Sequence, residues 1–277
     1  TISVGTYTDA TGDQFSSGAD LTLAQGSGSC TFTLTQLGNA SAIELASLNI
    51  QSGVTLTHGG AVTTDGTYTK IELDVTGDVV VESGASIDVS AKGLVSNGGN
   101  AYGYGMYDGV IASSFGYASS HGSGGSHGGP GGSYTDFSFG AAVLTQYDSI
   151  SNPIYPGSSG SWFTVLAKGG GVVRISAANV TVSGTIYANA STAGFAGEGA
   201  GGTIYLNASG NISGDGTLTA NGGGGGTSYG GGGGGRIALH YTNISSGLTL
   251  EAKGGNVSGS GEDGGAGGGE GEGGDAG

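Results

Sequence analysis

The chain has 277 residues, a net charge of −15 and only six lysines and arginines. That balance excludes nucleic acid and anionic membrane surfaces as partners, since both require basic patches. Glycine supplies 66 residues, but with three prolines and no Gly-X-Y period the chain is not collagen-like.

Residues 1–20 are polar and irregular, as a terminal cap or an assembly arm would be. The chain opens at Thr1 rather than methionine, which reads as a processed chain or an excised piece. Short alternating runs follow at Leu21–Leu23, Ile43–Leu45, Leu48–Ile50 and Val54–Leu56. Alternation with period 2 predicts half-buried strands. The lone cysteine, Cys30, starts a further strand, Cys30–Leu34, and reads as a small buried residue.

From residue 71 the strands come in threes. Ile71–Val75, Val79–Val81 and Ile87–Val89 form one set; Val173–Ile175, Val180–Val182 and Thr185–Tyr187 form the next. Two further sets follow at a fixed interval. Asn179, Asn211 and Asn243 are 32 residues apart, as are Ile186, Leu218 and Leu250. Each set leaves through alanine followed by Lys or Asn and then glycine, as in Ala91-Lys92-Gly93, Ala220-Asn221-Gly222 and Ala252-Lys253-Gly254. A fixed period with an apolar half and a glycine half is the mark of a solenoid. The fold class expected is all-β: a parallel β-helix, right-handed, one domain over residues 1–277. Glycine loops extruded from one corner are expected to stack as a second layer in polyproline II geometry.

Residues 94–167 interrupt the repeat. This insert holds twelve of the 21 aromatic residues and all three prolines. Residues 254–277 form a glycine-rich acidic tail. Adding 32 to Asn243 gives 275, so the pattern stops mid-repeat, as in a piece of a longer solenoid or a tail that docks elsewhere. No apolar run approaches the roughly 20 residues of a membrane span.

The insert reads Gly-Ser-His127-Gly-Gly-Pro130-Gly-Gly, then Tyr147, Pro153 and Pro156-Gly-Ser-Ser-Gly. Lys168-Gly-Gly-Gly-Val-Val-Arg-Ile175 and a glycine run ending in Arg236-Ile-Ala-Leu follow. Over residues 70–260 this order resembles the glycine-rich β-helical segments of large secreted or cell-surface proteins of microbes and protists. Polyglycine layers are also similar, more loosely, to adhesin tips of phage tail fibres. The resemblance implies an extracellular structural or adhesive setting.

No catalytic constellation stands out. His121 and His127 fit no zinc spacing, and the resemblance gives His127 a hydrogen-bonding role in its loop. Glu72, Asp74, Glu82 and Asp88 are the nearest candidates for a polysaccharide-acting enzyme, but they sit at outward strand positions where solvated carboxylates are ordinary. No cofactor is expected. Weak calcium contacts are conceivable through Glu262, Asp263, Glu270, Glu272 and Asp275, although the nine-residue calcium repeat is absent.

Seven of the twelve asparagines open an Asn-X-Ser/Thr triplet: Asn39, Asn179, Asn189, Asn207, Asn211, Asn243 and Asn256. They are candidates for N-glycosylation of a secreted protein. Asn179, Asn211 and Asn243 share one repeat position, where a structural asparagine ladder is the alternative. Tyr102, Tyr104, Tyr107, Tyr117 and Trp162 are candidate contacts for a glycan or a partner, or form the insert's own core. The function expected is a self-assembling subunit of an extracellular filament, sheath or coat, its partner a second copy head to tail. A glycan-binding adhesin is the alternative, and a polysaccharide-acting enzyme the third reading.

Overall fold

A computed structural model describes residues 2–3, 7–8, 18–26, 28–60, 68–95, 103–107, 110–112, 122–133, 146–161, 167–193, 197–226, 229–258 and 269–273. The first strands are β1 (Ile2–Ser3), β2 (Tyr7–Thr8), β3 (Ala19–Ala24), β4 (Cys30–Leu34), β5 (Gln36–Leu37), β6 (Ile43–Ile50) and β7 (Val54–His58). A first triplet follows as β8 (Thr69–Val75), β9 (Asp78–Val81) and β10 (Ser86–Asp88), then a short hairpin of β11 (Gly105–Tyr107) and β12 (Val110–Ala112). The second triplet is β13 (Val172–Ala177), β14 (Asn179–Val182) and β15 (Thr185–Tyr187); the third is β16 (Thr203–Ala208), β17 (Asn211–Gly214) and β18 (Thr217–Thr219). The fourth is β19 (Arg236–Tyr241), β20 (Asn243–Ser246) and β21 (Thr249–Glu251), and β22 (Gly269–Gly273) follows. No helix occurs among the described residues.

The expected right-handed parallel β-helix is corrected by the sheet topology. The first and second strands of each triplet belong to one 13-stranded sheet. It runs β20-β17-β14-β9-β6-β8-β13-β16-β19-β22, out along one wing and back along the other, as a nearly closed, barrel-like wall. The third strands form a separate seven-stranded sheet, β2-β4-β7-β10-β15-β18-β21. Both paths are parallel throughout; β5 against β8 and β11 against β12 are antiparallel.

The physical reason lies at the first corner of each triplet. The sequence shows one or two breaker residues there, which predicts a break between faces. The backbone instead hydrogen-bonds straight through it. Thr76 N–H donates to Leu45 O (3.0 Å), Ala178 N–H to Gly77 O (2.9 Å), Gly210 N–H to Ala178 O (2.8 Å) and Thr242 N–H to Gly210 O (2.8 Å). In β6 there is no break at all: Ile43–Leu45 pairs with β8 and Leu48–Ile50 with β9.

The ladders keep residues of successive repeats in register. Val79, Val180, Ile212 and Ile244 form one column, and Ile87, Ile186, Leu218 and Leu250 another. Inside the stack these side chains are fully buried. Burying one such side chain completely contributes about 1.5–3 kcal/mol, so the columns are the main source of cohesion.

The glycine tracts depart from a loop layer extruded at one corner. The insert contributes residues 122–133 and 157–161, which interlock with 167–171, 197–202 and 222–235. Gly125 N–H donates to Glu198 O (2.7 Å), Gly233 N–H to Gly125 O (2.8 Å), Gly201 N–H to Gly233 O (2.9 Å) and Gly129 N–H to Gly234 O (2.9 Å). Gly171 and Gly202 tie this lattice to the sheets by donating to Val89 O and Ala188 O. Segments approach so closely that a Cβ on Gly160 would lie 1.7 Å from Gly197 O. Backbone hydrogen bonds thus replace side-chain packing as the filling of this region.

Candidate functional site

Three places on the molecule hold the residues of interest. The first is a strap, residues 146–156, laid across the outward face of β13, β16 and β19. Its hub is Asp148, in left-handed backbone conformation at φ 74°. The Asp148 carboxylate accepts from the N–H groups of Ser149 (2.8 Å), Ile154 (2.9 Å) and Tyr155 (2.8 Å). His127 Nε2 faces the same carboxylate at 3.3 Å, while its Nδ1 faces Gly201 O at 2.8 Å. Both ring nitrogens of His127 thus face oxygen atoms. Burial pushes the Asp148 carboxyl up, but the His127 hydrogen bond and charge, with the Tyr155 and Ile154 N–H groups, outweigh it and hold it below its ordinary value.

Both arginines of the chain hold the strap. Arg236 Nη2 donates to Tyr147 O (3.1 Å). Arg174 donates to Pro153 O and to Asn152 Oδ1 (3.0 Å), and its guanidinium lies 4.2 Å above the Tyr205 ring. His240 Nε2 donates to Ser151 O (2.5 Å), and Tyr147 packs its ring 4.8 Å from that of His127. Beside them Glu72 pairs with Lys70 and with Arg174 Nε (3.1 Å). Partial burial pushes the Glu72 carboxyl up, but Lys70 and Arg174 prevail and hold it low. These polar groups are engaged with one another. The arrangement clamps the insert to the sheet and leaves no activated nucleophile.

The structure does not gather the acidic candidates. Glu72 and Asp74 lie on β8, Asp88 on β10 in the other sheet, and Glu82 after β9, where it accepts from Asn49 Nδ2 (3.0 Å). Among the described residues no three His, Cys, Asp or Glu side chains are grouped to hold a metal. Glu262, Asp263 and Asp275 lie outside the described residues, as do His121, Tyr102, Tyr117 and Trp162. Tyr104 is half-buried, and its N–H donates to Ser159 Oγ (2.6 Å). Tyr107 is placed on β11, its side chain outside the described part.

The second place is a pair of asparagine ladders. Asn179 Nδ2 donates to Asp78 Oδ1 (2.8 Å), and its Oδ1 accepts from Asn211 N–H (2.9 Å). Asn189 Oδ1 accepts from Asn221 N–H, and Asn221 Oδ1 from Lys253 N–H, both at 2.8 Å. Asn39, Asn211, Asn243 and Asn256 are exposed; Asn207 is half-buried on β16.

The third place is the β20–β21 end of the stack. Ile244 is 43% and Leu250 48% exposed, where their column neighbours Ile212 and Leu218 are fully buried. Among the described residues, β20 and β21 pair on one side only, whereas β19 is covered by β22. Sequence reasoning placed Leu250 in a repeat column but not its exposure, which reflects that among the described residues no strand pairs with β21 on its far side. The strap's Asp148 was missed altogether, although two arginines in a chain this acidic were a signal.

No family model matches the chain, and no curated protein or solved structure matches it either.

Proposed function

We propose that this chain is a structural protein that assembles with copies of itself into an extracellular filament, sheath or coat. The observation that carries the reading is that, among the described residues, β20 and β21 pair on one side only and leave the Ile244 and Leu250 side chains exposed. Open strand edges are templates for further pairing, and natural proteins block or use them. A parallel edge is extended head to tail, which generates an open polymer rather than a closed dimer. The strap and the glycine lattice support the same reading, because hydrogen bonds tie the insert to the sheets. The exposed triplets at Asn39, Asn211 and Asn256 are the positions where N-glycans fit a secreted coat.

Sedimentation and electron microscopy of the purified chain across a concentration series test this. Elongated particles that lengthen with concentration are expected. With every copy carrying −15, assembly should strengthen as added salt screens the repulsion. Monodisperse particles at all concentrations and salt levels would refute self-assembly.

A further inference from the structure

The outward side of the seven-stranded sheet carries an unbroken column of hydroxyls. Strand pairing sets Thr31, Thr55, Ser86, Thr185, Thr217 and Thr249 side by side on β4, β7, β10, β15, β18 and β21. Their chain neighbours Phe32, Leu56, Ile87, Ile186 and Leu218 point the other way, into the core. Thr31 and Thr249 are exposed, and the column between them is half-buried. Under the strap, by contrast, Thr203 is fully buried and donates to Tyr155 O (2.7 Å).

The column holds no charge, in a chain of net charge −15. Neighbouring hydroxyls come within hydrogen-bond range, as Thr55 Oγ1 and Ser86 Oγ do at 2.9 Å. Two positions further along the same strands stand Asp88, Tyr187, Thr219 and Glu251. Tyr187 is half-buried, and Glu251 pairs with Lys253 (2.7 Å). Thr219, between Tyr187 and Glu251, is 7% exposed, and among the described residues its hydroxyl has no hydrogen-bond partner. A buried hydroxyl left unpaired is costly, so a ligand oxygen bound at this point removes a penalty.

We propose that this face binds a linear, uncharged, β-1,4-linked glycan lying along the hydroxyl column, one sugar ring to each strand. The repeat selects a polymer. Neighbouring strands are about 4.8 Å apart, and an extended β-1,4-linked chain advances by a closely similar distance per ring. An outer sheet face offers no concave pocket for a small solute. Only one of its two ranks is regular, which suits a single chain rather than a crystal plane. Column hydroxyls both donate and accept, as sugar hydroxyls do. Tyr187 presents an aromatic face to the apolar side of a sugar. The negative charge of the chain, with Asp88 beside the column, excludes polyanionic glycans. The site lies on the sheet rather than on the tyrosines of the insert, and it is independent of the self-assembly reading.

Calorimetric titration of the chain with cellobiose, cellotetraose and cellohexaose tests this. Binding should tighten with oligomer length and be indifferent to added salt, and a galacturonic acid hexamer should not bind. Thr185→Val combined with Thr217→Val should weaken cellohexaose binding about tenfold, the loss of two hydrogen bonds. Tyr187→Ala should weaken it as well. Thr181→Val removes a hydroxyl paired with Ser213 Oγ (2.9 Å) on the other sheet and should leave binding unchanged. Valine keeps the β-branched shape, and matched thermal unfolding of the variants separates a lost contact from a lost fold. The proposal is overturned if cellohexaose does not bind, if length has no effect, or if the galacturonic acid hexamer binds equally. It is overturned too if Thr181→Val weakens binding as much as the double change. A double change that alters only the sedimentation of the chain itself would instead make this face a contact between copies.

Discussion

The strand stack and the glycine lattice solve the same problem in opposite ways. In the stack, side chains fill the interior: Ile71, Val173 and Ile204 follow one another in register with no exposure. In the lattice backbone does most of the filling, with a few buried polar side chains such as Ser126, His127 and Ser158, and at many of its glycines carbonyl oxygens occupy the space a Cβ would need. The stack therefore tolerates exchange among apolar residues of similar volume. The closely packed glycines of the lattice leave no room for a side chain, and its cohesion comes from N–H groups donating across segments. Glycine is the most costly residue to order, and tracts such as 197–202 and 229–235 lead directly into β16 and β19, which fix one end of each.

The largest effect should come from adding one methyl group to the lattice. Gly160→Ala would place its Cβ 1.7 Å from Gly197 O, which forces backbone apart and should cost about 3 kcal/mol or more. Gly60→Ala, with nothing within 4 Å, should stay within about 0.5 kcal/mol. Equal denaturation midpoints for the two would remove the distinction between the regions.

The stack should respond to deletion rather than addition. Ile212→Ala should cost about 2–4 kcal/mol by leaving a cavity. Ile244→Ala, in the same column but 43% exposed, should cost about 1 kcal/mol or less in single copies. Urea unfolding of both variants at a concentration too low for assembly makes the comparison.

His58 lies at the seam between the regions. Its Nε2 accepts from Val172 N–H (3.2 Å) and its Nδ1 faces Gly59 O (2.8 Å) and Thr69 Oγ1 (2.9 Å), a neutral ring with no room for a second proton. Burial, with the Lys92 charge adding to it against the Gly59 hydrogen bond, lowers its pKa to about 4. The unfolded chain takes up this proton from about pH 6.5 downward and the folded chain does not. Stability from this group is therefore complete above pH 6.5 and falls by about 3 kcal/mol by pH 4. Asp148, held low in the fold, adds a further loss as pH drops through the carboxylate range. A His58→Gln chain should show a flatter stability profile between pH 6.5 and 4; an unchanged slope would assign the acid sensitivity elsewhere.

The smallest effect concerns the ladders at the edge of the stack. Asn179→Ala removes one acceptor and one donor at a half-exposed site and should cost about 1 kcal/mol. Thermal unfolding beside Asn39→Ala, which should be neutral at its exposed turn, measures it.

Much of the stack was legible from sequence. The interval between Val180, Ile212 and Ile244 set the register, because strand pairing at a fixed period brings equal positions together. The merging of the first and second strand families into one sheet was not legible. Residues such as Gly77 and Gly210 break strands in most settings, and here neighbouring repeats supply the hydrogen bonds that carry the sheet through. The site was less legible still. Asp148 is one of 21 acidic residues, and nothing local marks it; its importance comes from four donors that converge on it in the folded chain.

By itself the sequence determined the repeat, the order of apolar and polar positions and the places where no side chain can be present. These are local or periodic properties, and one strand at a time suffices to state them. The tertiary structure decided which segments became neighbours: the merging of two strand families into one wall, the insert's entry into the glycine lattice and the arginines on the strap. Those contacts join residues as far apart as Arg174 and Glu72, or His58 and Val172. Their free energy appears only when the intervening chain has already been ordered, and so no stretch of sequence carries it alone.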